Sequence, residues 1–384
     1  MSQQLADTLV KILSDLIAIP SPYPPSDSVA ICAYAADVLR KAGYEVEIAS
    51  RTKGIDNVVA RLGKGKPVIA FNVHVDTVGV GERANWNSDP FTPVVKDGQV
   101  FGLGAGNCKG SMAVQLWLAQ EIARRGGPTK GEVIFTFVGD EETLGPDGMA
   151  FLRDSGRVRP DALILGAQTE NQLIVAERGV MWARITTTGK AAHAGAPHNG
   201  DNAIMRMVRI VTHLDHALMP LLSKRQQGPL RSTINIGMFH GGHNTNVVPS
   251  LCTVEIDRRL LPGETVQQAY AELEKLATAA GEPKESYKVE FLTGTNGFNA
   301  PEGGQAVAAF KRAIEAQTGQ EARFLTATGV SDGRYYADDG IEIVNFGPGS
   351  GAQGHAANES VPIAEMVEAA AIQLAVARSL LGVK

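Results

Sequence analysis

Apolar residues recur at helical spacing from Leu5 to Ile19, at Leu9, Ile12, Leu13, Leu16 and Ile17, which predicts an amphipathic helix. Pro20, Pro22, Pro24 and Pro25 end it. Ser28 to Ala42 predicts a second helix, closed by Gly43. Val46–Ile48 and Val58–Leu62 follow as short strands. Pro67–Val73 is apolar on both faces, the mark of a central strand in an α/β sheet. Gly110–Arg125 predicts a long helix, and Val133–Val138 and Asp161–Leu165 predict two more buried strands. This alternation predicts an α/β sheet with helices on both faces. Polar residues stand just after the strand ends, where such sheets place ligands.

The pattern changes near Gly179. Met181–Thr188 alternates like a half-buried strand, and a helix is predicted over about Asn202–Leu222. Strands at Ser232–Gly237 and Cys252–Arg259 and a helix at Glu264–Ala280 complete a β-α-β-β-α block. After about Thr293 the α/β character returns, with helix Gly304–Thr318, strand Ile341–Phe346 and a helix from Ile363. The expected organisation is therefore an α/β domain over 1–178 and 294–384, with a smaller α+β domain inserted at 179–293.

A chain of 384 residues also favours two domains over one core. Its net charge of -5 and the lack of any basic run give no reason to expect nucleic acid. Three widely spaced cysteines make no disulfide framework and fit a reducing cytoplasm. The first residues, Met1-Ser2-Gln3-Gln4, lack the basic start of a secretion signal. No apolar run approaches the roughly 18 residues of a membrane span. The expectation is a cytoplasmic enzyme of small molecules, with no membrane partner.

Four polar clusters carry the chemistry. His74-Val75-Asp76 ends an apolar strand, so both polar side chains share one face. The imidazole there can bind a metal while a carboxylate fixes its orientation. The others are the turn Gly104-Ala105-Gly106-Asn107-Cys108-Lys109-Gly110, the acids Asp140-Glu141-Glu142, and Gly354-His355-Ala356-Ala357-Asn358-Glu359. Their order and spacing resemble the zinc aminoacylase and carboxypeptidase family, the metallohydrolases like acetylornithine deacetylase and succinyl-diaminopimelate desuccinylase.

The resemblance implies an α/β metallopeptidase-type catalytic domain, an inserted lid and dimerisation domain, and a homodimer. It implies hydrolysis of an amide or related C–N bond on a small carboxylate-bearing, N-acyl amino acid-like substrate. Asp76 would be catalytic, Glu141 the general base, and His74, Glu142 and His355 metal ligands. A base beside a metal can take the proton of an activated water. Asn358-Glu359 would buttress the His355 loop. Gly189-Lys190-Ala191-Ala192-His193 through Pro197 matches the family's lid motif, whose His polarises the scissile carbonyl across the dimer. Asn246, in Gly241–Pro249, matches a substrate contact, and Arg259 falls where a guanidinium meets a substrate carboxylate. Ser331, in Ser331-Asp332-Gly333-Arg334, reads as a carboxylate contact, and Arg334 reads equally as a structural ion pair.

Two departures stand out. Asn107 occupies the place of the family's metal-bridging Asp, and Gly166-Ala167-Gln168-Thr169 replaces Gly-Glu-Pro-Thr. Both losses fall on one of two metals. The expectation is a single divalent ion, zinc with cobalt or manganese as alternatives, held by Glu142 and His355 and completed by His74 or Asn107. Glu170 or Cys108 could replace a lost donor, although Cys108 reads rather as a small packed apolar residue. A catalytically silent relative that binds a ligand is the alternative. An ordinary two-metal enzyme carrying substitutions at Asn107 or Ala167 also stays open at this point. Retention of Glu141, Glu142, His193 and His355 favours the hydrolase.

Overall fold

The structure is a computed structural model that describes residues 3–300, 303–327 and 329–384. The chain divides into two compact units. The larger holds the chain up to Val175, Ala300–Leu325 and Ser331–Lys384; the smaller holds Ala176–Asn299 and Thr326–Val330.

The larger unit is built on a six-stranded sheet. Its order is Glu45–Ser50, Asp56–Lys64, Gly131–Val138, Val68–His74, Ala162–Leu165, Glu342–Asn345. The first three strands pair antiparallel and the last four run parallel. Phe71 stacks on Phe135 at 5.1 Å between ring centroids, and Tyr44 meets Phe135 edge-on. The Gly110–Arg124 helix is buried over most of its length, and Leu9, Leu13, Met366, Ile372 and Val376 belong to the same core. That burial supplies the rigidity a site at the strand ends needs.

The parallel register decides where the chemistry gathers. His74 lies directly beside Val138, and Asn72 beside Leu165. Val68–His74 and Gly131–Val138 therefore end level, Ala162–Leu165 ends two residues short of them, and the segments after all three emerge at one edge, as the sequence predicts. Asp140, the first of the three acids, has φ 66° and serves as turn former. Its side chain accepts from the Thr143 hydroxyl and from the Asp147 N–H at 2.9 Å, which turns Glu141 and Glu142 toward His74.

The smaller unit is a four-stranded antiparallel sheet ordered Thr233–Gly241, Leu251–Leu260, Gly179–Thr188, Tyr287–Thr295. Met181, Ala183, Ile185, Val254 and Ile256 pack against Met207, Ile210, Leu214 and Leu273 of helices Ala203–Leu222 and Val266–Ala279. Asn202 caps the first helix, and Thr265 with Gln268 forms a capping box on the second. The Tyr287–Thr295 strand was not foreseen: it mixes half-buried with exposed residues, Phe291 and Leu292 among the latter, and lacks clean alternation. It carries this unit on to Asn299. Among the described residues no helix is long and apolar enough to cross a membrane.

Candidate metal and catalytic site

The larger unit brings His74, Asp76, Asn107, Glu141, Glu142 and His355 together. His74 is buried at its strand end, with Nδ1 2.9 Å from the Asp76 carbonyl oxygen and 3.6 Å from its carboxylate. Nε2 faces Asn107 Oδ1 at 3.2 Å. Nδ1 donates toward Asp76, which leaves Nε2 on the side of Asn107 as the ring atom able to bind a metal. Burial alone would lower the His74 pKa; Cys108, Asp76 and Glu141 raise it well above the usual value. Burial pushes the Cys108 thiol up in turn, and His74 opposes that rise.

Gly104–Gly110 forms a tight loop. Gly104 sits at φ 79°, where a Cβ would come within 2.7 Å of Thr77 Cγ2, so glycine is required there. The buried Glu359 carboxylate accepts the N–H of Gly104 at 2.9 Å and that of Asn107. Glu359 thus braces the Asn107 loop, while Asn358 binds Asn85 and Asn87. The pair supports neighbouring loops beyond the His355 loop expected from sequence.

Asn107 occupies the centre. Its Nδ2 donates to Glu142 Oε1 at 2.6 Å and lies 3.2 Å from His355 Nε2. His355 Nε2 lies 3.0 Å from Glu142 Oε2, and that partner raises its pKa. The Glu142 N–H donates to Asp76 Oδ2 at 3.0 Å, so Asp76 orients a histidine on one side and the acidic turn on the other. Glu141 is held by Arg334, whose Nη1 lies 3.1 Å from Oε1. Burial pushes the Glu141 carboxyl up to about 7; His74 and Arg334 oppose the rise, and Asp332 and Glu142 add to it. Single ligand atoms of His74, Glu141 and Glu142 lie within 4.8 Å of one another. Carboxylate and imidazole at this spacing suit a divalent ion.

Ala167 and Glu170 supply no donor to the cluster, whereas Cys108 lies against it. Ala167 follows the Ala162–Leu165 strand with only a methyl group. Glu170 is exposed and accepts the Ser350 hydroxyl at 2.6 Å. Cys108 is buried, 3.0 Å from Asn107 Oδ1 and 3.6 Å from the Gly166 carbonyl oxygen.

The smaller unit brings His193 and Asn246 together. Their loops pair through a His193–Val247 bridge and an Ala194 N–H to Asn246 carbonyl bond of 2.9 Å. They border a cavity of about 640 Å³ lined by Ala194, Asn244 and Val247 among others. His193 is exposed, and its Nδ1 accepts the Gly195 N–H at 3.0 Å. With Nδ1 accepting, a ring proton is carried by Nε2, which is left as the donor. Arg259 is bound to Asp257 through Nε at 2.7 Å and Nη2 at 2.9 Å, and Trp182 donates to the same carboxylate. Burial first, and then Arg259, lower the pKa of Arg178, so a second guanidinium stands nearby. Sequence reasoning missed Arg178; its signal was Glu177-Arg178-Gly179 at the edge of the insert. Ser331 accepts the Gly333 N–H at 3.2 Å and caps the Asp332–Tyr336 turn.

A cluster of imidazole and carboxylate groups at the strand ends of an α/β unit, in a chain that also has an α+β unit with an exposed histidine, fits the class of two-unit metallohydrolases. The chain belongs to peptidase family M20/M25/M40, whose family model matches residues 70–379. It is similar to succinyl-diaminopimelate desuccinylase of Bordetella parapertussis, 29% identical over 94% of this chain and 95% of that protein. It has the fold of aminopeptidase PepT from Bacillus cereus, with a TM-score of 0.77, 24% identity and 98% of each chain covered. It has equally the fold of the Bacillus subtilis YXEP protein, a dinuclear metal binding peptidase, with a TM-score of 0.74, 18% identity and all of each chain covered. The protein is a metal-dependent hydrolase acting on C–N bonds. The silent ligand-binding alternative is not favoured.

Proposed function

We propose that the chain hydrolyses the amide of a small N-acyl amino acid in the cytoplasm, as a homodimer, with one zinc ion per chain. The observation that carries the single ion is the Asn107 amide between His74, Glu142 and His355. A carboxylate there would bridge two dications, whereas a neutral amide offers one oxygen. Ala167 offers none. Glu142 and His355 would hold the ion, with His74 or a turned Asn107 amide completing the set. Bound there, such an ion would lower the pKa of a water to around 7 and would polarise a carbonyl.

This chain's residues do the rest. Glu141 takes the water's proton and returns it to the leaving nitrogen. Asp76 keeps His74 and the Glu142 backbone in register. His193 presents its Nε2 proton to the scissile carbonyl of the other subunit, with Asn246 beside it. Arg259 with Arg178, and Ser331, receive substrate carboxylates. The homodimer is supported by the Thr233–Gly241 strand, which edges its sheet and exposes Ile236, Met238 and Phe239. Such an edge invites pairing with a second copy.

The relative's name makes N-succinyl-diaminopimelate the first substrate to try, with a series of N-acyl amino acids beside it. Zinc-loaded protein should release free amine from at least one of them. No amine from any would overturn the reading.

A further inference from the structure

Arg334 is the buried group that the chemistry above leaves without a part. Its side chain is 2% exposed. Its Nη1 pairs with Glu141 Oε1 at 3.1 Å. Its Nη2 donates to the Tyr335 hydroxyl at 2.9 Å, and the guanidinium stacks over the Tyr335 ring at 4.4 Å. Tyr335 in turn donates to the Gly145 carbonyl at 2.6 Å. Gly145 closes the turn that carries Glu141, through its N–H to Asp140 O bond of 3.0 Å. Arg334 and Tyr335 therefore grip that turn at the base itself and at its far end. Behind them, Asp332 accepts from Asn72 at 3.1 Å, two residues before His74 on the same strand.

We propose that Arg334 is the positioning residue of the general base: it fixes one carboxylate oxygen of Glu141, so that the other is directed at the water. The inference rests on the assignment of Glu141 as base. Among the described residues Arg334 is the cation paired with Glu141. The planar fork suits the task because it restrains direction as well as charge. Losing it leaves Glu141 able to turn, and a misplacement of about 1 Å at a reacting group can cost about 10²-fold in rate.

The test uses zinc-loaded full-length protein and N-succinyl-diaminopimelate, or whichever N-acyl amino acid it cleaves best. Arg334→Met should lower kcat about 10- to 100-fold, with KM and zinc content within about twofold of the parent. Arg334→Lys should recover part of the loss. On a Glu141→Gln background the Arg334→Met change should add nothing, since the oriented group is gone. A crystal structure of Arg334→Met should show the Glu141 side chain in a new rotamer. A raised KM at unchanged kcat, or kcat and zinc lost together, would overturn the proposal. So would an unmoved Glu141 rotamer, which can be read without any activity. A Glu141→Gln protein that still turns over would instead remove the assignment of the base. An inert parent protein would remove the proposed function, with the rotamer still deciding the role of Arg334.

Discussion

At the scale of single residues, the site is an exchange of charge for neutrality. Asn107 puts an amide where the family expects a carboxylate, and Glu142 and His355 close on it. For Glu141, the proposed base, protonation gives a direct expectation. Its folded pKa is raised from 4.5 to about 7, and only the carboxylate form accepts a proton. Activity should therefore be present above that pKa and fall tenfold per pH unit below it. A bound dication nearby favours the carboxylate and draws the acid limb back toward 4.5. A kcat/KM profile should place the limb between these limits, and Glu141→Gln should remove it while costing about 10²–10⁴ in rate. A limb that survives in Glu141→Gln would mean that another group takes the proton.

At the scale of elements, the strand ends and their loops make the site. Glu359 ties the Gly104 and Asn107 N–H groups, and its buried carboxyl is raised by burial while those N–H groups oppose the rise. Glu359→Ala should leave two buried donors unpaired, at about 1–3 kcal/mol each. A lower Tm together with weaker zinc retention on dialysis would show it; unchanged zinc retention would detach the loop from the metal. The α/β sheet was legible because Val68–His74 and Gly131–Val138 are continuous apolar runs between helical patterns. Tyr287–Thr295 was not, because an edge strand buried only in part has no period to read. The histidines and acids were legible as motifs. Arg334's hold on Glu141 was not, since its motif fixed a turn and left open what the guanidinium meets 193 residues away along the chain.

At the scale of the whole molecule, two units each carry half of the proposed chemistry. His193 and Asn246 lie in one, and Glu141 with the metal ligands in the other. If His193 serves the partner subunit, inactive Glu141→Gln chains mixed with inactive His193→Ala chains should regain activity once subunits exchange. One site of each heterodimer then carries both lesions and the other neither. Exchange without recovered activity would confine His193 to its own chain or remove it from catalysis. The claim on which the account depends is that Asn107 and Ala167 leave room for one ion. Elemental analysis of dialysed protein tests it most directly. One zinc per chain is expected, rising to two in the double variant Asn107→Asp, Ala167→Glu; two tightly held ions in the parent chain would contradict it.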